Sequence, residues 1–513
     1  MYSLSGADVL VESGAALVVQ NNEATSQHGG GLYLESEGSS FTATGNATRV
    51  TVQSNTAGQR GGGMYSLLGA DVLVESGAAL VVQNNEATSL HGGGLYLANE
   101  GSSFTATGNA TRVTVQSNTA GQAGGGMYSN SGADVLVESG ATLNIISNKC
   151  GKYGGGIALY AAGSHLTVKD SDTHFYVINN TVGYDDAASG GGITVAPGAS
   201  AMITSPSIFQ GNRADTGAGG AVAFYGRETN DGAASCVSVD LEIIGNKTTA
   251  TYEEIPRVKV HTDPTSVLES RDDDWNKLVE NSPSRWCIPC GKYTLTVGTG
   301  ISGIFFGQGA LVRLRLSRLS GSGSVLAEES NRLVHDAYAE LAFDLPCAEQ
   351  GVRIANARFE DNFARLGGAL GVSPLRTKHS FFHISSSTFT GNRATEKGGA
   401  LHVSGFQSGA RFDRGCAFRD NQITGGKSQE FLGGGAVSVT EQAGLHIIDA
   451  VANENSVAAT TSANGGFLFA ERATTVLMQR VSVSNSVSGQ KGGGGALYFF
   501  ATKGILDQVN MEG

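Results

Sequence analysis

Two neighbouring carboxylates, Asp185 and Asp186, are the side chains of this 513-residue chain best suited to chemistry on a sugar. Glycosidic cleavage uses two acids facing one bond, one to protonate the leaving oxygen and one to act as base or nucleophile. Arg257-Val258-Lys259 offers cations that could hold an acidic polysaccharide, and His28-Gly29 and His91-Gly92 set an imidazole beside a glycine. The competing reading is plainer. Asp185 and Asp186 fit solvated residues of an extended turn, and no catalytic residue is assigned.

Cys287 and Cys290 are two residues apart, and a structural disulfide between them is the first expectation, ahead of unpaired thiols or a metal site. Zinc would need four ligands, and only Cys347, His261 and His335 stand near enough in sequence to complete a set. No βαβ pattern surrounds the pair, which argues against redox use. Asp272-Asp273-Asp274 reads as a charged loop rather than a calcium site. No metal or other cofactor is expected. Asn46, Asn109, Asn179 and Asn246 each open an Asn-x-Ser/Thr sequon, which would matter on a eukaryotic secretory route.

The elements that must carry these residues are set by repetition. Residues 1–63 and 64–126 are one sequence with five differences: Ser5/Leu68, Gln27/Leu90, Glu35/Ala98, Ser36/Asn99 and Arg60/Ala123. A third copy opens at Met127. Copying a whole block builds length or surface, and gives a single catalytic centre nothing. Each block splits into halves with a shared plan, marked by glycine runs such as Gly61-Gly62-Gly63 and by an asparagine with an apolar residue three places earlier. Those asparagines are Asn22, Asn55, Asn85, Asn118, Asn148, Asn180, Asn212, Asn246, Asn362, Asn392 and Asn421, with weaker echoes at Asn455 and Asn485. The unit is therefore about 31 residues, and the 63-residue block is a pair.

Within a unit, short alternating runs such as Phe104-Thr105-Ala106 and Val113-Thr114-Val115 lie between Gly, Ser and Asn clusters, the pattern of strands and turns. Three short strands per 31 residues predict one coil of a parallel β-helix, with coils stacked about 4.8 Å apart. About fifteen coils are expected, forming a stiff rod. Stacked asparagines should bond amide to amide along the axis, as in cross-β stacks. Thr42-Ala43-Thr44 and Thr105-Ala106-Thr107 raise an ice-binding array, but the pairs recur only every second coil.

Gly219-Gly-Ala-Val222, Gly367-Gly-Ala-Leu370, Gly398-Gly-Ala-Leu401, Gly434-Gly-Ala-Val437 and Gly494-Gly-Ala-Leu497 resemble the Gly-Gly-Ala-aliphatic motif of chlamydial-type polymorphic outer membrane proteins. Phe209-Gln-Gly-Asn212, Phe359-Glu-Asp-Asn362, Phe389-Thr-Gly-Asn392 and Phe418-Arg-Asp-Asn421 are similar to that family's Phe-x-x-Asn motif. The resemblance covers about four-fifths of the chain. It implies a pectin-lyase-like right-handed parallel β-helix displayed outside a cell, often adhesive. The polygalacturonase arrangement within that fold class is not reproduced. The His-Gly elements precede the acidic pair rather than follow it, and the neighbouring Asn-x-Asp element is missing.

Composition narrows the partners. Glycine supplies 74 residues, and the formal charge is −12, which disfavours nucleic acid because phosphate contacts need clustered Lys and Arg. No run approaches the roughly 18 apolar residues of a spanning helix. The chain starts mid-coil and ends without a cap, so a fragment of a longer surface protein is expected. The rhythm fails between Asn246 and Asn362. Residues 1–249 and 351–513 are thus assigned to an all-β solenoid, and 250–350 to an irregular insertion or join with a short helix near 328–343. The expected role is a non-enzymatic extracellular or cell-surface scaffold, adhesin-like, displaying loops to an unidentified glycan or protein. A polysaccharide-degrading or carbohydrate-binding protein is the alternative.

Overall fold

The computed structural model describes residues 2–4, 7–25, 27–161, 163–183, 188–224, 236–244, 257–262, 284–287, 291–298, 311–318, 325–332, 339–345, 351–372, 381–405, 408–425, 432–458, 463–489 and 493–512. They form two units, residues 1–232 with 349–513, and residues 233–348.

The first unit is a parallel β-solenoid of about 31 residues per turn. Coils contribute strands to four parallel sheets; sheets 1, 2 and 3 each run through thirteen successive strands, and the fourth through eleven, with Leu432–Gly433 and Ala463–Asn464 as two further strands beside that path. Sheet 1 contains Leu32–Glu35, Met64–Leu67, Leu95–Ala98 and Met127–Asn130. Sheet 2 contains Ser40–Thr44, Asp71–Glu75, Ser103–Thr107 and Asp134–Glu138. Sheet 3 contains Arg49–Gln53, Ala79–Gln83, Arg112–Gln116 and Thr142–Ile146. Sheet 4 is built from two-residue strands such as Thr56–Ala57 and Glu86–Ala87. The sequence pattern predicts only three strands per coil, because two residues are too few to show an alternation.

Alternation aims every second residue inward. Leu32, Leu34, Phe41, Ala43, Val50 and Val52 from one coil are all buried, and their counterparts continue in columns through one apolar core. Turns between sheets are closed by buried hydroxyls. Thr48 Oγ1 donates to the Thr44 carbonyl and accepts from the Gly14 N–H, and Thr111 repeats the arrangement with Thr107 and Gly77.

The solenoid passes the interruption without losing register. Ser200–Ile203 pairs with Gly351–Ile354, Phe209 faces Phe359, and Val222 faces Leu370. The intervening segment is therefore an insertion into one solenoid, not a join between two. The count falls short of the about fifteen coils expected, with thirteen strands in line in sheets 1 to 3 and eleven in sheet 4.

The second unit is antiparallel. Ser284–Cys287, Cys236–Ile244, Leu311–Arg318 and Val325–Arg332 form a four-stranded sheet, and Arg257–Thr262, Gly291–Gly298 and Ala339–Leu345 a three-stranded one. Of the helix expected near 328–343, residues 328–332 and 339–343 lie on the strands Val325–Arg332 and Ala339–Leu345, and residues 333–338 lie outside the described residues.

Candidate functional site: the flanks of a tyrosine ladder

On the outer side of sheet 1, Tyr33, Tyr65, Tyr96 and Tyr128 stand in register on four successive coils. Their rings stack at 5.0, 4.9 and 5.2 Å between centroids, and Tyr160 joins beyond Tyr128 at 6.0 Å. Outward residues of a solenoid are ordinarily wet, yet Tyr65, Tyr96 and Tyr128 are buried. The segment ahead of each glycine run covers them. His28 lies parallel to Tyr65 at 4.9 Å, His91 parallel to Tyr128 at 4.4 Å, and the Arg60 guanidinium sits 5.6 Å above Tyr96. His28, Arg60, His91, Ala123 and Tyr153 form a run of parallel bridges along the axis.

The glycine run makes this cover fit. Gly92 has φ +69°, and a Cβ there would meet the Leu95 carbonyl at 2.5 Å and Tyr96 Cβ at 2.9 Å. At Gly93 a Cβ would lie 2.3 Å from the Thr119 carbonyl oxygen of the next coil. Only glycine allows both the left-handed turn and the contact between coils.

The electrostatics of the ladder are those of a packed wall. Burial pushes the Tyr65 hydroxyl up to about 12, although it bonds the Arg60 guanidinium. Burial also raises Tyr96, whose hydroxyl bonds Asn130, and Tyr128. His91 is driven down to about 4, first by burial and then by Arg60, and His28 is lowered for the same two reasons. Near neutral pH the rings are uncharged. His28 Nδ1 and His91 Nδ1 are buried and make no hydrogen bond among the described residues.

What distinguishes this face is variation between copies. The strands of sheets 2, 3 and 4 in residues 8–57 recur without change in residues 71–120. The five differences fall in four columns, two just ahead of the glycine run and two at the end of the sheet 1 strand. Gln27/Leu90 and Arg60/Ala123 lie on the entry side, and Glu35/Ala98, Ser36/Asn99 and Ser5/Leu68 on the exit side. Ser5 is outside the described residues; Leu68 is exposed with φ +56°. Four of the five exchanges make the second block more apolar. The sequence shows these differences but does not group them, because only the wound chain sets residues 27 and 60 on one flank of sheet 1 and residues 35 and 36 on the other.

Asparagines named from sequence form a ladder on the inner turn between sheets 3 and 4, exposed at its first rung, Asn22, and buried from Asn55 to Asn455. From Asn22 through Asn55, Asn85, Asn118, Asn148, Asn180, Asn212, Asn362, Asn392 and Asn421 to Asn455, each backbone N–H and Nδ2 donates to the Oδ1 of the next. Nδ2 also donates to the carbonyl of the apolar residue in the coil before, as Asn55 does to Val19 and Asn362 to Phe209. Hence the spacing of three between apolar residue and asparagine. Asn246 lies outside the described residues, and Asn362 occupies the position after Asn212 that Asn246 was expected to fill. The insertion separates Asn246 from the rhythm it follows in sequence.

The remaining candidates are scattered. Asp185, Asp186 and Asp272–Asp274 lie outside the described residues, as does Cys290. Cys287 is opposite Cys236 in an antiparallel pair. Cys150 and Cys416 are free, buried thiols, pushed up to about 12 and about 11 by burial. Arg257 and Lys259 are on a strand of the second unit. Asn46, Asn109 and Asn179 are exposed at turns. Thr42 and Thr105 are separated by Leu73 in their column, so no continuous threonine array exists. No group of three or more His, Cys, Asp or Glu is placed to hold a metal, and no helix is long and apolar enough to cross a membrane, among the described residues.

Residues 386–404 match the Chlamydia polymorphic membrane protein repeat. The matched segment holds Phe389-Thr-Gly-Asn392 and Gly398-Gly-Ala-Leu401, so in this solenoid the repeat spans the ladder asparagine and the glycine turn into sheet 1. The chain thus carries the repeat and winds it as a parallel β-solenoid. No curated protein and no solved structure matches the chain.

Proposed function

We propose that this protein is a non-enzymatic scaffold displayed outside a cell, adhesin-like, and that it engages its ligand through the flanks of the tyrosine ladder. The repeat match supports a surface-exposed, passenger-like role, at an outer membrane if the source is bacterial. One observation carries the choice of face: two otherwise identical blocks differ only beside sheet 1. A purely structural constraint would spare exposed positions on all four sheets equally. The ladder supplies a rigid floor, and the flanking columns supply side chains that differ from coil to coil. Glu35, Leu67, Ala98, Asn130 and Tyr160 make up one such column.

Arrays of glycans and extracellular matrix proteins would test this with the full chain and with a variant whose second block copies the first (Leu68→Ser, Leu90→Gln, Ala98→Glu, Asn99→Ser, Ala123→Arg). Binding should fall by about tenfold or more in the variant, a change of about 1.4 kcal/mol. Gln83→Glu on sheet 3 should leave it unaltered. Equal binding by all three proteins would remove the face from the proposal. Cleavage of an acidic polysaccharide, lost on Asp185→Asn or Asp186→Asn, would replace the scaffold with an enzyme.

A further inference from the structure

Outward columns in the near-identical blocks alternate charged and uncharged residues from coil to coil. In sheet 2 one column runs Asp8, Ser40, Asp71, Ser103, Asp134, and another runs Thr44, Glu75, Thr107, Glu138. Sheet 3 carries Ala16, Arg49, Ala79, Arg112, Thr142, and sheet 4 carries Glu23, Thr56, Glu86, Thr119. Rungs lie about 4.8 Å apart, inside the screening length of about 8 Å at physiological salt. Like charges directly opposed across strands destabilise a sheet. Alternation doubles their separation and places a hydroxyl between: Ser40 donates to Asp8 and Ser103 to Asp71, each at 2.7 Å. The core follows the same beat, with Phe41, Val72, Phe104 and Val135 in one inward column.

We propose that the 63-residue block, and not the 31-residue coil, is the unit by which this solenoid changes length, in two-coil steps of about 10 Å. Removing residues 64–126 sets Ser40 beside Asp134, Thr44 beside Glu138, Arg49 beside Thr142 and Phe41 beside Val135. Those are the contacts that Ser103, Thr107, Arg112 and Phe104 make now. The new Gly63–Met127 junction reproduces Gly126–Met127. Removing only residues 95–126 leaves an equally good junction, Gly94–Met127, but it stacks Asp71 on Asp134 and Glu75 on Glu138. It also sets Val72 on Val135 where a phenylalanine had intervened. The coil is the unit of geometry, and the block is the unit of compatible chemistry.

Thermal unfolding at low salt of four proteins tests the proposal: the full chain, the chain lacking 64–126, the chain lacking 95–126, and the last with Asp71→Asn and Glu75→Gln. Loss of the block should leave the melting temperature within about 0.5 °C of the full chain, whereas loss of one coil should lower it by about 1–2 °C. The two neutralising substitutions should restore at least half of that loss. If the chain lacking 95–126 melts with the chain lacking 64–126, or if neutralisation restores nothing, the block is not the unit. Failure of the chain lacking 64–126 to fold would overturn the proposal equally.

Discussion

The coils before the insertion and the coils after it share a ladder and a register but stabilise themselves differently. Before it, the inward column of sheet 3 is Val52, Val82, Val115, Ile145 and Val177, and the stacked aromatics are the tyrosines outside. After it, Phe359, Phe389 and Phe418 stack inside at 4.6 and 5.0 Å, and the outward column of sheet 1 runs Gly371, His402, Ser438, Phe469 and Tyr498, with an aromatic stack, at 5.4 Å, only in its last two rungs. Charges follow suit. The near-identical blocks keep like charges apart by alternation, whereas the later coils, like Lys169–Glu138 just beyond those blocks, pair opposite charges, as in Arg411–Asp413 at 2.7 Å and Arg365–Glu396 at 3.2 Å. Exact copying suits a face meant to be extended; divergence suits contacts fitted once.

What the two regions share should be the most sensitive to change. Asn148→Ala and Asn392→Ala each leave an N–H and an Nδ2 of the preceding asparagine without their acceptor, and free a buried carbonyl, that of Val115 or Phe359. Each orphaned buried group costs about 1–3 kcal/mol, so a loss on the order of 3 kcal/mol or more is expected in both regions, read by denaturant midpoint at constant m-value. Equal losses support a common ladder. A loss confined to one region would show that aromatic packing, inside or outside, carries what is assigned here to the amides.

Much of this was legible because the ladder writes itself into sequence: three places before each asparagine stands the apolar residue whose carbonyl accepts from the asparagine of the next coil, and the glycine run marks each entry to sheet 1. The tyrosine wall was not, although Tyr33, Tyr65, Tyr96 and Tyr128 repeat as regularly. An outward position in an alternating strand predicts exposure, and nothing local says that residues 28, 60 and 91 will fold back over the rings. Sheet 4 escaped because two-residue strands have no period. Asn246 misled for a different reason, since it keeps the sequence rhythm across a boundary where the chain leaves the solenoid.

Acid should separate the contributions by pH window. His91, held down to about 4, and His402, held down to about 3 by burial, Lys397 and Arg365, bind protons less readily folded than unfolded. Their contribution is whole above about pH 6.5 and declines as pH falls towards those values, because the unfolded chain protonates first. Asp413 is lowered to about 2, chiefly by its bond to His383 and then by Arg411. Its contribution is whole above about pH 4 and declines towards pH 2. Denaturant midpoints between pH 7 and 2 should therefore fall in two stages. His402→Gln should flatten the first stage and Asp413→Asn the second. A single transition insensitive to both would mean that neither burial nor the ion pair sets acid stability.

The smallest effect expected bears most directly on the difference between the two blocks. Arg60 lowers His91, and its counterpart in the second block is Ala123. Arg60→Ala removes a cation from the row His28, Arg60, His91, so His91 should titrate at higher pH, read from its imidazole proton shifts. Burial is the larger cause and survives the substitution, so the value should rise without regaining 6.5. The tyrosine stack, which does not need the guanidinium to hold His91 against Tyr128 at 4.4 Å, should persist in the ring-current shifts of Tyr128. A His91 value unmoved by Arg60→Ala would show that the two blocks differ in surface alone. A value restored to 6.5 with loss of the ring-current shifts would show instead that Arg60 holds the cover in place, and that the second block, with alanine there, is closed by other means.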